Sequence, residues 1–141
     1  MTGGAGTLAL INARALLEHG LSGLALFDLD PSHATAEIFA LRTDFPHATI
    51  LTESVNVTDA AQVQMAVDRA AQELGSVDIL ICFAGVVGCQ HAVEMTPDEW
   101  KRTLDVNTTG AFFCAQAVAR YVLESAGKCY IDRLPHDLTV S

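Results

Sequence analysis

The sequence predicts an α/β fold built on a parallel sheet, and three observations lead to that prediction. The glycine-rich segment 3–6 stands directly before a stretch with helical apolar spacing. Short apolar runs then alternate with helical patterns along the chain, as in parallel strands joined by right-handed crossovers. Asp28 ends the first apolar run, about 20 residues after the glycines, where an acidic side chain can reach a bound ribose.

Helices and strands alternate in the first half. The four-residue apolar run before Asp28 suits a strand buried on both faces. Asp30 and Pro31 start a helix, because an acidic cap precedes a proline whose missing N–H is not needed there. The patterns predict helices over about residues 7–19 and 31–42 and strands over about 24–28 and 48–52.

The second half continues the alternation. A helix is predicted from Thr58 or Asp59 to Gly75, and residues 77–83 carry the strongest strand signal in the chain. Thr96-Pro97-Asp98-Glu99 is a capping box with proline at the first helical position. The helix that it starts should continue to about residue 123, and it is apolar enough to lie on the sheet and also to suit contact with another subunit.

The pattern stops at Glu124. We therefore expect a partial dinucleotide-binding domain over residues 1–123 and a divergent, poorly ordered tail over residues 124–141. Residues 128–131 offer one more short strand as the alternative.

Composition excludes several classes of function. A net charge of −9, with eight lysines and arginines, argues against a nucleic-acid or anionic-membrane surface. The four cysteines lack Cys-x-x-Cys spacing and the five histidines are scattered, so no metal site is predicted. The N-terminal segment has no basic region and the longest apolar runs are interrupted, so a cytoplasmic location is expected.

The glycine segment is the first candidate site. A glycine turn that opens a helix leaves backbone N–H groups at the positive end of the helix, where they can hold a pyrophosphate. Many glycine turns are purely structural, however, and no complete Gly-x-Gly-x-x-Gly is present. Asp28 likewise has a second interpretation as a helix-cap or loop acid, and its place at a strand tip favours the ribose ligand.

Five segments in this order resemble the short-chain dehydrogenases/reductases. Residues 2–9 are similar to the Thr-Gly-x-x-x-Gly-x-Gly cofactor loop, with Thr7 and Ala9 in place of the last two glycines. Asp28 matches the ribose-binding acid and Asn56-Val57 the adenine-contacting pair. Residues 82–85 resemble Asn-Asn-Ala-Gly with both asparagines replaced, and residues 105–110 resemble the Asn-Val-x-Gly segment.

The resemblance implies a Rossmann-like doubly wound parallel sheet with NAD as cofactor, and NADP less favoured because the Asp28 carboxylate repels a 2′-phosphate. It also implies a small alcohol or ketone substrate, with a loose likeness to polyol and ketose dehydrogenases. Asn107 corresponds to the family's active-site asparagine, although an amide satisfied by neighbouring backbone is the alternative. The implied cofactor contacts are Gly3, Gly6, Leu8, Asp28, Asn56, Val57, Ala84 and Gly85.

Departures from the family pattern lead us to expect a truncated member. Met1 alone precedes Thr2, so the family's first strand is missing and the sheet is incomplete between the strands that end at Asp28 and Phe83. The C-terminal half is missing too, and with it the catalytic Ser and Tyr-x-x-x-Lys. We therefore expect an oxidoreductase by ancestry that is inactive as this chain, or alternatively a non-catalytic fragment that binds a nucleotide or docks on a partner.

Overall fold

The computed structural model describes residues 1–125. The order of elements is α1 (Thr7–Glu18), β1 (Gly23–Asp28), a 3-10 turn (Pro31–Ala34), α2 (Thr35–Asp44), β2 (Thr49–Ser54), α3 (Ala60–Leu74), α4 (Pro97–Leu104), a π-helical stretch (Asp105–Gly110) and α5 (Ala111–Ser125). The predicted helices and the first two strands are therefore present, except that a 3-10 turn takes the start of the helix predicted over residues 31–42 and a π-helical stretch interrupts the last helix. The final strand alternative and almost all of the predicted tail lie outside the described residues.

The sheet is parallel and incomplete, as predicted. β1 and β2 pair in register from Gly23 with Thr49 to Asp28 with Ser54. Met1 and Thr2 lie on the other side of β1, and Thr2 forms parallel bridges to both Phe27 and Cys82. The two N-terminal residues therefore occupy the carboxyl end of the position that the resemblance assigns to a first strand.

The prediction of a strand over residues 77–83 is wrong in one respect. The segment lies beside the sheet, but only Cys82 has a bridge partner and no strand is formed. A strand needs a hydrogen-bonded ladder, and within the described residues the segment pairs only with Thr2. The apolar pattern of residues 77–83 predicted the position of the segment beside the sheet. It contains no information on whether a neighbouring strand is there to pair with.

Two apolar cores cover the two faces of β1. Leu24 and Leu26 face a cluster with α1 and α2, and Phe27 faces a cluster with α3 and α5. This alternation follows from the two-residue period of a strand and gives the two-sided burial expected of a doubly wound sheet. The carboxyl end of β1 is thereby held between helices on both sides.

Local end signals explain the helix boundaries. The Asp59 carboxylate accepts hydrogen bonds from the N–H groups of Ala61 and Gln62 at the start of α3, and Gly75 ends that helix with a φ of 86°. Thr96 and Glu99 form the predicted capping box. The long C-terminal helix differs from the prediction because the π-helical stretch interrupts it. No helix in residues 1–125 is long and apolar enough to span a membrane.

Candidate functional site

The glycine loop lies between β1 and the segment after residue 82. Gly3 has a φ of 63°, and a Cβ there would lie 2.7 Å from the backbone nitrogen of Ala84. A Cβ on Gly4 would lie 2.8 Å from the Cβ of Leu26. The chain can pass between these two backbones only because these positions carry no side chain.

The loop ends at α1 with its backbone donors available. Gly6 is the N-cap of α1, and it provides no side-chain cap. The N–H groups of the first helical turn have no partner within a helix, and the helix dipole adds positive potential at this end. The turn is therefore suited to hold an anionic group.

Asp28 joins the loop to the tip of β1. Its Oδ2 accepts a hydrogen bond from the Ala5 N–H at 3.0 Å, and its Oδ1 accepts one from the Asp30 N–H at 3.2 Å. The carboxylate thus has a structural task as well as a position facing the cleft. These hydrogen bonds agree with the interpretation of Asp28 as a loop acid, and its contact with a ribose stays a prediction.

Thr2 fixes the opposite wall, and sequence reasoning assigned it no role. The residue is 2% exposed, and its Oγ1 accepts a hydrogen bond from the Ala84 N–H at 3.3 Å. Its backbone N–H donates to the Ile81 carbonyl at 3.0 Å and its carbonyl accepts from the Phe83 N–H at 3.1 Å. A buried threonine therefore anchors residues 81–84 beside the glycine loop.

A cleft of about 700 Å³ opens at the carboxyl end of the sheet, a volume in the range of small-molecule sites. Most of the predicted cofactor contacts line it: Gly3, Gly6, Asp28, Asn56, Val57, Ala84 and Gly85. Leu8 is not among the lining residues, and its side chain is 70% exposed on α1. The structure thus brings seven of the eight predicted residues together.

Asn56 and Val57 form the far wall of the cleft. The Asn56 Oδ1 accepts hydrogen bonds from the Thr58 N–H at 3.0 Å and the Thr58 hydroxyl at 2.8 Å. Val57 is buried against Gly110, where a Cβ would lie 2.7 Å from the Val57 Cγ2. The wall is therefore built by a turn on one side and by a close helix contact on the other.

Asn107 lies in the π-helical stretch and binds backbone. Its Oδ1 accepts a hydrogen bond from the Val86 N–H at 2.7 Å, and its Nδ2 donates to the Val86 carbonyl at 2.8 Å. The amide thereby fixes the loop after Gly85 at the edge of the cleft. This geometry agrees with the backbone-satisfied alternative, and a role in catalysis stays a prediction.

No sequence pattern placed α4 in the site, yet Lys101 and Arg102 line the cleft together with Asp98 and Asp105. Lys101 donates to the Asp105 carboxylate at 2.8 Å, and this contact raises the pKa of the lysine. Neighbouring i and i+4 positions put these two side chains together on the helix surface. The i, i+4 spacing of Lys101 and Asp105 is visible in the sequence and predicts their contact on the helix surface. No local pattern indicates that this helix lies beside the glycine loop.

Comparisons with known proteins agree with this arrangement. The family model described as short chain dehydrogenase matches residues 1–129. The chain belongs to the short-chain dehydrogenase family. A D-threitol dehydrogenase from Mycolicibacterium smegmatis is 30% identical over 96% of the chain and 52% of that relative. A 2-dehydro-3-deoxy-L-rhamnonate dehydrogenase (NAD(+)) from Sphingomonas sp. is 36% identical over 89% of the chain and 48% of that relative.

Solved structures give the same family fold. A short-chain type dehydrogenase/reductase from Mycobacterium marinum superposes with a TM-score of 0.81 and 29% identity, over 88% of this chain and 49% of that one. A short chain dehydrogenase from Mycobacterium smegmatis gives a TM-score of 0.80 at 26% identity, over 87% and 51%. This short-chain dehydrogenase chain spans about half the length of the relatives that it matches.

Among the accessible side chains near the glycine loop, the Cys82 thiol has the most strongly shifted pKa. The pKa of Cys82 is lowered to about 6, mainly by a hydrogen bond from the Cys114 thiol. The Thr2 hydroxyl and the positive charge of the Met1 ammonium lower it further by smaller amounts. The hydrogen bond between the two thiols, with burial, raises the pKa of Cys114. Cys82 is exposed whereas Cys114 is buried, so the thiolate form is on the reachable sulfur.

We therefore expect iodoacetamide to alkylate Cys82 faster than Cys89 at neutral pH, with the rate falling as pH decreases through about 6. Below that pKa the Cys82 sulfur is a thiol and reacts slowly. Cys82 and Cys89 both lie in the tryptic peptide of residues 70–101, so tandem mass spectrometry, whose fragment ions separate the two positions, measures the two rates at several pH values. Cys114→Ala removes the donor and should move the midpoint towards about 8.5. A midpoint unchanged by that substitution would contradict the assigned cause.

Proposed function

We propose that this chain is a nucleotide-binding half of an oxidoreductase and that it binds a nicotinamide dinucleotide in the cleft. The observation that carries the proposal is the convergence of Gly3, Gly6, Asp28 and Gly85 on one cavity. The uncapped start of α1 suits the pyrophosphate and Asp28 suits the adenine ribose. Asn56 and Val57 would then lie beside the adenine. The bound nicotinamide would supply the hydride acceptor or donor.

We further propose a preference for NAD over NADP, since the Asp28 carboxylate would repel a 2′-phosphate. Binding should be weak because Thr7 and Ala9 replace two glycines of the family loop. We expect NADH to bind about tenfold more tightly than NADPH, a difference of about 1.4 kcal/mol. Fluorescence or calorimetric titration of both nucleotides measures this preference.

Variants of Asp28 separate its two tasks. Asp28→Asn keeps an oxygen that can accept from the Ala5 N–H and removes the charge, so it should reduce the preference without unfolding the loop. Asp98→Asn is a matched control because Asp98 lines the same cleft from α4. Equal effects of the two substitutions would show that only the overall charge matters and would remove Asp28 from the proposed ribose contact.

We propose that the chain alone does not turn over a substrate. Tyr121 is followed four residues later by Ser125, and Tyr130 by Leu134, so the 141 residues hold no Tyr-x-x-x-Lys to supply the proton partner of hydride transfer. NADH absorbance assays with polyols, ketoses and secondary alcohols should show no rate above background. Turnover that persists after removal of host enzymes and that Asn107→Ala abolishes would prove this wrong.

The polyols are included among the assay substrates because the chain is similar to a D-threitol dehydrogenase.

The alternative function is a docking fragment. The observation that favours it is the outer surface of α5, where Phe112 is 57% exposed, Val122 46% and Leu123 49%. Such a surface suits contact with another chain. The titration separates the two functions, because a fragment that only docks would give no saturable NADH signal.

A further inference from the structure

β2 is the edge strand of the sheet in the described part of the chain. It pairs with β1 on one side, and Thr2 lies against the opposite side of β1. Residues 49–52 are uncharged, and three of these four residues are β-branched. Such a segment has a high tendency to pair with another strand. An edge of this composition is a template for association unless another group covers its backbone.

The hydrogen bonds between β1 and β2 define which backbone groups of β2 point outwards. The Thr49 N–H donates to the Ser22 carbonyl at 2.9 Å, and the two strands stay in one parallel register to their ends. Backbone groups alternate between the two sides of a strand, so the odd-numbered residues of β2 bond to β1 and the even-numbered residues face away. The N–H and carbonyl groups of Ile50 and Thr52 therefore form the outer edge.

Arg42 of α2 covers this edge. Its guanidinium donates two hydrogen bonds to the Ile50 carbonyl, from Nε at 3.3 Å and from Nη2 at 3.0 Å. The Nη2 group also donates to the Thr52 hydroxyl at 3.2 Å. Because a guanidinium is planar and rigid, these contacts hold it against the two outward-facing residues. A backbone acceptor that another strand would need is therefore already occupied.

The charge on β2 gives the edge little protection of its own. Glu53 is the charged residue of the strand, and repulsion between two such carboxylates would oppose the pairing of two copies. The Arg69 guanidinium of α3 lies 3.0 Å from the Glu53 carboxylate and offsets its charge. The contact of Arg42 with the Ile50 carbonyl is the feature that acts on the backbone of the edge itself.

We propose that Arg42 is an autoinhibitory contact that prevents β2 from pairing with β2 of a second copy of this chain. In a two-fold antiparallel pair centred on Leu51, the Thr52 N–H of one copy would donate to the Ile50 carbonyl of the other. That carbonyl is the acceptor that Arg42 occupies. Removal of the guanidinium frees the acceptor and allows the two sheets to join edge to edge. The contact is independent of the proposed nucleotide cleft.

Arg42→Met in the full chain tests the proposal. Methionine is a long, unbranched helix former without a hydrogen-bond donor, so the change removes the contact and keeps the helix. Hydrogen exchange at the Ile50 and Thr52 amides of the variant should slow by about tenfold as protein concentration rises, and the wild-type rates should stay constant. The Leu51 amide bonds towards β1, so its exchange reports only whether β2 is folded. Sedimentation velocity on the same samples should show a dimer of the variant.

Arg14→Met is the matched control. Arg14 lies on α1 and donates to the Asp44 carboxylate at 2.7 Å, so its replacement removes the same charge and adds the same apolar surface away from the edge. It should leave the Ile50 and Thr52 amides unchanged. Equal slowing in this control would show a general effect of charge or apolar surface and would overturn the proposal. Concentration-dependent slowing in the wild type, or constant rates in Arg42→Met, would overturn it too.

Arg42→Lys provides the test if Arg42→Met loses the slow exchange of the Leu51 amide and thus the folded strand. A lysine ammonium can donate to the Ile50 carbonyl, but it lacks the rigid fork that also reaches the Thr52 hydroxyl. We expect the Ile50 and Thr52 amides to slow with concentration in this variant as well, by less than in Arg42→Met. Rates equal to those of the wild type at every concentration would show that the guanidinium fork does not protect the edge.

Discussion

Replacing Gly3 with alanine is expected to cost about 2–4 kcal/mol of folding free energy. The added Cβ would lie 2.7 Å from both the Ala84 nitrogen and the Phe83 carbonyl carbon, and neither backbone atom can move without displacing the wall that Thr2 holds. The backbone of Gly3 also has a φ of 63°, which disfavours a side chain. Denaturant unfolding monitored by circular dichroism measures the loss.

Gly20→Ala is the matched control. Gly20 has a φ of 91°, yet a Cβ there would meet nothing within 4 Å, so the substitution carries the backbone strain without the contact. It should cost about 1 kcal/mol. We expect Gly3→Ala to lower the free energy of unfolding more than Gly20→Ala does, so that the cooperative unfolding transition is lost in the first variant and kept in the second. Equal losses at the two glycines would show that the approach to Ala84 has no energetic importance.

Features defined by nearby residues could be predicted from the sequence. Asp59 and Gly75 delimit α3, and Thr96 with Glu99 starts α4, because a cap needs only a side chain and the backbone within one helical turn. The place of Asp28 at the tip of β1 was also predictable, because it directly follows the four-residue apolar run that predicts the strand. These signals act over a few residues, so a single sequence contains them completely.

Features that depend on distant partners could not be predicted. Residues 77–83 have the composition of a buried strand, but strand formation requires a neighbour whose backbone bonds to the segment. The π-helical stretch lies where Gly110 is pressed against Val57, a contact between parts of the chain that sequence patterns do not connect. The position of α4 beside the glycine loop is likewise a result of packing.

The site shows the same division. Gly3, Gly6 and Asp28 were predicted from local patterns, a glycine turn before a helix and an acid at the end of an apolar run, and all three line the cleft. Leu8 was assigned from the resemblance, and its side chain lies on the surface. Thr2 belongs to the glycine-loop motif, but its hydrogen bond to the Ala84 N–H joins residues 82 positions apart and could not be predicted from that motif. The cleft therefore depends on long-range hydrogen bonds that hold residues 81–84 beside the glycine loop.

The contact between Gly110 and Val57 gives the second large prediction. Alanine at Gly110 would place its Cβ 2.7 Å from the Val57 Cγ2 and 3.3 Å from the Val57 carbonyl oxygen. We expect a net loss of about 1–3 kcal/mol, although alanine favours a helix over glycine by about 1 kcal/mol. Since Val57 lines the cleft, the displacement should also weaken NADH binding if the nucleotide occupies it.

A double-mutant cycle tests the contact directly. Val57→Ala alone removes buried methyl groups, but combined with Gly110→Ala it makes room for the new Cβ, so the pair should cost at least about 1 kcal/mol less than the sum of the single changes. Gly85→Ala is the control, because its Cβ would meet the nearest atom, Asn107 Oδ1, at an ordinary 3.4 Å. Strict additivity of Gly110→Ala and Val57→Ala in urea melts would show that the two residues do not press on each other, and the close packing of the π-helical stretch would then need another cause.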